Sequence, residues 1–274
     1  MPGTRLGKYH GIPVIAPACH DTGSAVAAIP AKNPDYAYIS SGTWSLVGIE
    51  IENPIISPEA LEANLTNEGG VENTFRLLKN VMGLWIFQQC RNTFTKKGKL
   101  LSYQQLMALA SQALPLQHFI NPNDLMFLPP GDHPQLIQSF CKETGQSIPE
   151  NEGAIIRCVL ESLAFSYRKV LTDILQISGR EVNIIHIVGG GSKNVLLCQM
   201  TANVTHLPVV AGPDEATVLG NALTQLIALG EISNIHEARQ LIAKMGVLKH
   251  YFSHDHDQWD KAYERFLKII AKHK

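Results

Sequence analysis

Between residues 151 and 178, apolar side chains recur with the period of a helix. Ile156, Leu160, Leu163, Tyr167, Val170 and Ile174 follow at intervals of four, three, four, three and four, which sets them on one face. Gly179 stands where a left-handed residue closes such a helix. One long apolar stripe marks a core element, and no chemistry is assigned to it.

The period changes on either side. Tyr36–Ser41 and residues 44–51 are rich in aromatic and β-branched side chains and meet across Gly42, which predicts a hairpin. A third strand is expected near residues 74–78. Residues 83–150 read as helical, broken at Pro115, Pro122 and Pro129-Pro130-Gly131. After Gly179 a buried strand over 182–188 runs into Gly189-Gly190-Gly191-Ser192, then a helix over about 194–204 and a strand over 207–211. Gly212-Pro213-Asp214-Glu215 turns into a helix that ends at Gly230. This β-α-β-α series predicts a parallel sheet with helices packed on it, and both glycine turns fall at its carboxyl edge, where functional loops sit. Residues 1–34 are rich in Gly, Pro and Ala, with a short Ala-rich helix over 24–29 and a closing turn at Asn33-Pro34.

Composition narrows the class without naming a chemistry. The chain has 274 residues, with Lys+Arg 23 against Asp+Glu 24 and a formal net charge of −1. A near-neutral balance without basic runs argues against nucleic-acid partners and against a polybasic membrane patch. No apolar run reaches the ~18 residues of a membrane span, and Pro13 and Pro17 break the only early apolar stretch. A cytoplasmic globular protein is expected. Cys19, Cys90, Cys141, Cys158 and Cys198 show no C-x-x-C spacing, so they read as buried small hydrophobes and not as a zinc site. Helices over about 134–144 and from about 151 would set Cys141 and Cys158 face to face across a hairpin, with free thiols as the default.

Six segments could carry chemistry, and each has a plain structural alternative. In His20-Asp21-Thr22-Gly23-Ser24-Ala25, Asp21 suits a general base, an N-cap of the Ala-rich helix, or part of a D-x-G-S phosphate loop. Ser40-Ser41-Gly42-Thr43-Trp44-Ser45 offers N–H and O–H donors that can wrap phosphate oxygens, or is an ordinary hairpin tip. Gly189-Gly190-Gly191 lets a nucleotide approach the backbone, or lets a helix pack closely; it lacks both the G-x-G-x-x-G order and a G-K-[ST] ending. Pro213 to Ala222 starts a helix whose Ala216, Gly220 and Ala222 suit close packing. Asn67-Glu68-Gly69-Gly70, followed by Arg76, Asn80 and Gln88, places amides that can read sugar or nucleotide edges. His254-Asp255-His256-Asp257 has metal-ligand types but reads as a solvated helix entry.

The order of these segments is more specific than any one of them. His20-Asp21-Thr22, Ser40 to Ser45, Asn67-Glu68-Gly69-Gly70, Leu78-Lys79-Asn80-Val81-Met82-Gly83-Leu84-Trp85, Gly189-Gly190-Gly191-Ser192 and Gly212-Pro213 with Glu215-Ala216-Thr217 and Gly220-Asn221 together resemble the rhamnulokinase branch of the FGGY carbohydrate kinases, across nearly the whole chain. The resemblance implies an α/β, actin-like (ribonuclease H-like) lobe and phosphorylation of L-rhamnulose at O1 by ATP with Mg²⁺. It implies Asp21 as catalytic base and His20, Thr22 and Asn80 as sugar contacts. Thr43, Gln88, Gly190 and Gly191 become nucleotide contacts, and no protein metal ligand is implied. It also implies a partner. Family members carry an N-terminal lobe ahead of the His20 segment, whereas 20 residues precede Asp21 here. Residues 1–34 are therefore expected to be the tail of that lobe and residues 35–274 the C-terminal nucleotide-binding domain, inactive alone. A non-catalytic nucleotide-binding or association module, a kinase for another ketose or polyol, and an oxidoreductase built on the glycine turn are the competing readings.

Overall fold

β1 (Thr4–Tyr9) and β2 (Ile12–Ala16) form a two-stranded antiparallel hairpin of their own, in a computed structural model that describes residues 3–18, 20–246 and 248–272. Then come α1 (Asp21–Ala27), β3 (Tyr36–Ser41), β4 (Ser45–Ile51), α2 (Pro58–Glu62), β5 (Thr66–Gly69), β6 (Phe75–Val81), α3 (Trp85–Lys96), α4 (Tyr103–Gln112) and α5 (His133–Glu143). The long α6 (Glu152–Ser178) leads to β7 (Ile184–Val188), α7 (Val195–Thr205), β8 (Val209–Ala211), α8 (Ala216–Leu229), α9 (Ile235–Lys244), β9 (Lys249–Tyr251) and α10 (His256–Lys272).

The main sheet has the order β5-β6-β4-β3-β7-β8-β9. The β-α-β-α segment forms parallel pairs, β3 with β7 and β7 with β8. The expectation of a parallel sheet holds only for these three strands. β3 returns directly into β4 and β5 into β6 through short connections, which can only give antiparallel pairs; β6 pairs antiparallel with β4, and β9 joins the far edge antiparallel to β8 after α8 and α9. A mixed sheet of this kind is not the doubly wound parallel sheet that the oxidoreductase reading needs.

Alternation along the strands builds two cores. Ala37, Ile39, Val47, Ile49, Leu77 and Val81 face α6 and the helices around it. The intervening Tyr36, Tyr38, Leu46 and Leu78 face α1, α8 and α9. This is the period-2 consequence of a sheet covered on both faces. The α6 stripe lies in the first core as expected, with Asn151 accepting at the N-cap and Gly179 left-handed at φ 64°. Cys141 and Cys158 meet inside the same core as free thiols, and burial pushes the Cys158 thiol well up. Cys90 and Cys198 are also buried free thiols, while Cys19 lies outside the described residues. Among the described residues, no helix is long and apolar enough to cross a membrane.

Candidate functional site

The parallel strands bring their carboxyl ends to one edge. There β3 ends at Ser40-Ser41, β7 runs into Gly189, and β8 runs into Gly212-Pro213-Asp214. A cleft of about 580 Å³ opens at this edge, lined by His20, Asp21, Thr22, Asn80 and Gly190 of the residues expected from sequence. Ser40, Ser41, Trp44, Asp214 and Thr217 line it as well. Thr43, Gln88 and Gly191 stand outside that lining.

Asp21 opens α1 with its side chain 72% exposed. It is not the N-cap: His20 occupies that position, extended at φ −104° and ψ 137°, and its side chain makes no capping bond. Asp21 Oδ1 accepts from Thr22 N at 2.8 Å, and the other carboxylate oxygen remains for the cleft. The His20 ring turns back to β5 and β6. Its Nδ1 lies 3.0 Å from Glu68 Oε2 and 2.8 Å from Thr22 Oγ1, and its Nε2 lies 3.4 Å from Asp21 Oδ1. Arg76, 1% exposed, donates to Glu68 and to Thr22 beneath them. Glu68 and Arg76 fall in a candidate segment of the sequence but carried no role there, because their partnership with the His20 segment exists only after folding.

The hairpin tip is clamped from two sides. Leu84 N donates to Gly42 O at 3.0 Å and Trp85 N to Thr43 O at 3.1 Å, so the first amides of α3 hold the tip. Gly83 permits this approach, since a Cβ there would stand 2.6 Å from Ser45 Oγ. Gln88, one turn into α3, points Nε2 at Thr43 Oγ1 at 3.5 Å, the outer limit of a hydrogen bond. From below, the Tyr167 hydroxyl meets Ser45 Oγ at 2.7 Å and lies beside the Ser41 hydroxyl; burial pushes it up to about 12. The α6 stripe thus supplies one polar contact to the site.

The three glycines after β7 have different environments. Gly189 is left-handed at φ 80°. A Cβ on Gly191 would stand 2.0 Å from Ser41 Oγ, so Gly191 is a packing residue that seats the turn against the end of β3. A Cβ on Gly190 would meet nothing within 4 Å, which leaves the backbone there open to a ligand. Lys193 Nζ, 2.5 Å from Asp214 Oδ2, ties this turn to the one after β8 and holds the Asp214 carboxyl below its usual range. Ala216 and Gly220 pack closely as expected, while Ala222 falls on the exposed side of α8. His254 pairs with Asp255 at 2.8 Å at the entry to α10. Among the described residues, no group of three or more His, Cys, Asp or Glu is arranged to hold a metal ion.

Comparison with known proteins gives a consistent picture. Residues 37–229 match the family described as FGGY family of carbohydrate kinases, C-terminal domain. The chain is 48% identical over 280 aligned residues to a rhamnulokinase of Bacteroides thetaiotaomicron, covering 98% of this chain and 57% of that protein. It is 45% identical to a rhamnulokinase of Halalkalibacterium halodurans, covering 94% of this chain and 56% of the relative. The chain therefore spans little more than half the length of these relatives. A ligand-bound xylulose kinase from Lactobacillus acidophilus shares the fold, with TM-score 0.72 at 18% identity over 96% of this chain and 52% of that one. A glycerol kinase from Plasmodium falciparum with ADP does so at TM-score 0.69 and 14% identity, over 98% of this chain and 54% of that one.

Proposed function

The chain belongs to the FGGY family of carbohydrate kinases, and on that premise we propose that it supplies the carboxyl-terminal lobe of an ATP-dependent kinase converting L-rhamnulose to L-rhamnulose 1-phosphate. The observation that carries the reading is that His20, Asp21, Thr22 and Asn80, distant in sequence from Gly190, line the same cleft. In this reading residues 1–34 end the amino-terminal lobe and bring the base segment, and residues 35–274 form the nucleotide-binding lobe. An amino-terminal lobe is the partner that closes the cleft, and a cytoplasmic location goes with the reading.

The exposed Asp21 carboxylate accepts the proton of the sugar hydroxyl as its oxygen attacks the γ-phosphorus of ATP and the bond to the ADP oxygen breaks. His20, Thr22 and Asn80 orient the sugar. Thr43, at the hairpin tip just beyond the cleft lining, is assigned to the phosphates, and the open backbone at Gly190 admits the nucleoside, with Gln88 and Gly191 supporting that wall. Mg²⁺ would neutralise phosphate charge; the donor set suits an ion held mainly by phosphates and water, with Asp21 and Asp214 as the cleft carboxylates. The test is a sugar panel on this chain joined to an amino-terminal lobe. L-rhamnulose should be phosphorylated far faster than other ketoses, and preference for a different sugar would reassign the substrate.

A further inference from the structure

Among the described residues Arg76 is the largest of the fully buried side chains, 1% exposed, on β6 beside the edge strand β5. A guanidinium is kept in such a place only where its donors are met. Nη1 donates to Thr22 Oγ1 at 2.9 Å, Nη2 to Glu68 Oε2 at 2.8 Å, and Nε to Gly69 O at 3.3 Å. Its partners come from separate elements, Thr22 from the first turn of α1 and Glu68 and Gly69 from β5. Thr22 Oγ1 and Glu68 Oε2 then converge on one atom, His20 Nδ1, at 2.8 and 3.0 Å. The guanidinium also underlies the turn itself, since a Cβ on Gly23 would stand 3.4 Å from Arg76 Nη2.

The chemistry of these contacts fixes a proton. A carboxylate oxygen only accepts, so the hydrogen of the Glu68–His20 contact belongs to Nδ1. Of the two carboxylates beside the ring, Glu68 at 3.0 Å is closer than Asp21 at 3.4 Å, so the single proton of the neutral ring goes to Nδ1 and Nε2 is left facing Asp21 and the cleft. The fork of an arginine suits this task, because it grips two acceptors in one plane where a lysine would grip a point.

We propose that Arg76 is a positioning residue of the cleft: through Glu68 and Thr22 it sets the orientation of the His20 ring and commits its proton to Nδ1, so that Nε2 is presented beside Asp21. The proposal rests on the kinase reading of the cleft and adds to it the device that aims one of its sugar-contacting side chains.

Side-chain spectra of the chain labelled with ¹⁵N-histidine test it, because they report the tautomer of each ring. The His20 signal is the one lost in His20→Asn. At about pH 8.5, well above the ordinary histidine range, wild-type His20 should carry its proton on Nδ1. Glu68→Ala should move it mostly to the Nε2–H form, with Thr22 donating to the bared Nδ1; Arg76→Met, which keeps the Glu68 acceptor but frees its carboxylate and Thr22 from the fork, should give a mixture of the two forms. Arg76→Lys, which keeps the charge and loses the fork, should give a mixture. Glu68 is 24% exposed, so Glu68→Ala and Arg76→Lys decide the matter if Arg76→Met fails to fold. A bare Nδ1 in the wild type, or an unchanged Nδ1–H signal in any of these variants with its fold intact, would overturn the proposal. The measurement uses neither sugar nor nucleotide. An unanchored His20 in a working kinase would sink this inference alone, and an anchored His20 in a protein that phosphorylates no sugar would sink the kinase reading alone.

Discussion

Gly220 lies directly against Ser24: a Cβ built on Gly220 would stand 1.7 Å from the Ser24 carbonyl oxygen and 3.3 Å from Ala28 N. The backbone of α8 thus touches the backbone of α1, the short helix whose first residue is Asp21. The position of Asp21 depends on the absence of a side chain about 200 residues further along the chain. Gly220→Ala must push the two helices apart. It should cost about 1–3 kcal/mol, the range for overpacking a tight contact, measured by denaturant unfolding. An unchanged midpoint would mean that the contact is looser than described.

Neighbouring glycines after β7 should respond in opposite ways. Gly190→Val places its side chain in open space at the cleft and should leave stability within about 0.5 kcal/mol while abolishing ADP binding in calorimetry. Gly191→Val drives a side chain into Ser41 and should lower the unfolding midpoint. Equal ADP binding by wild type and Gly190→Val would place the nucleotide elsewhere.

Much of this was legible in the sequence, and what was not has a physical reason. The α6 stripe, the hairpin of β3 and β4, and the strand–turn–helix run through Gly189 and Gly212 follow from periodicity and glycine placement, and they form where expected. β5 did not announce itself, because Thr66–Gly69 is polar and becomes a strand only through its ladder to β6. β1 and β2 leave Leu6, Tyr9 and Ile12 about two-thirds exposed, so no buried face imposed a clear alternation. At the site, the family resemblance implied His20, Asp21, Thr22, Asn80 and Gly190, and these line one cleft. The roles of Glu68 and Arg76 were hidden, since their contacts to His20 and Thr22 span 48 and 54 residues. Composition also cannot separate Gly190, open to the cleft, from Gly191, packed on Ser41.

His186 should make the protein acid-sensitive. Burial, with help from Arg239 and His250, pushes its imidazole down to about 4, and its Nδ1 is buried without a partner. The unfolded chain takes up this proton near pH 6.5, so between about 6.5 and 4 the unfolded state binds more protons and stability falls as pH falls. The full loss is about 3 kcal/mol, the free-energy equivalent of lowering the imidazole from 6.5 to about 4. His186→Phe keeps an aromatic ring edge-on to Tyr36 and should flatten that part of the stability–pH curve relative to wild type. Parallel curves would show that His186 titrates normally.

Cys141 and Cys158 are 0% and 1% exposed. Their alkylation should therefore be slow in the native state and proceed at the rate of unfolding. Both should label fully in denaturant without reductant. Labelling that requires reductant would reveal a disulfide in place of the free thiols.

The most direct measurement is single-turnover phosphorylation of L-rhamnulose by this chain, alone and joined to the amino-terminal lobe of the Bacteroides thetaiotaomicron relative, each with Asp21 and with Asp21→Asn. The chain alone should show negligible turnover. The joined protein should phosphorylate the sugar, and Asp21→Asn should slow its chemical step by ~10² or more, the scale of a general base. Robust turnover by the chain alone would contradict the half-enzyme account, and an unchanged rate in Asp21→Asn would remove Asp21 from the reaction.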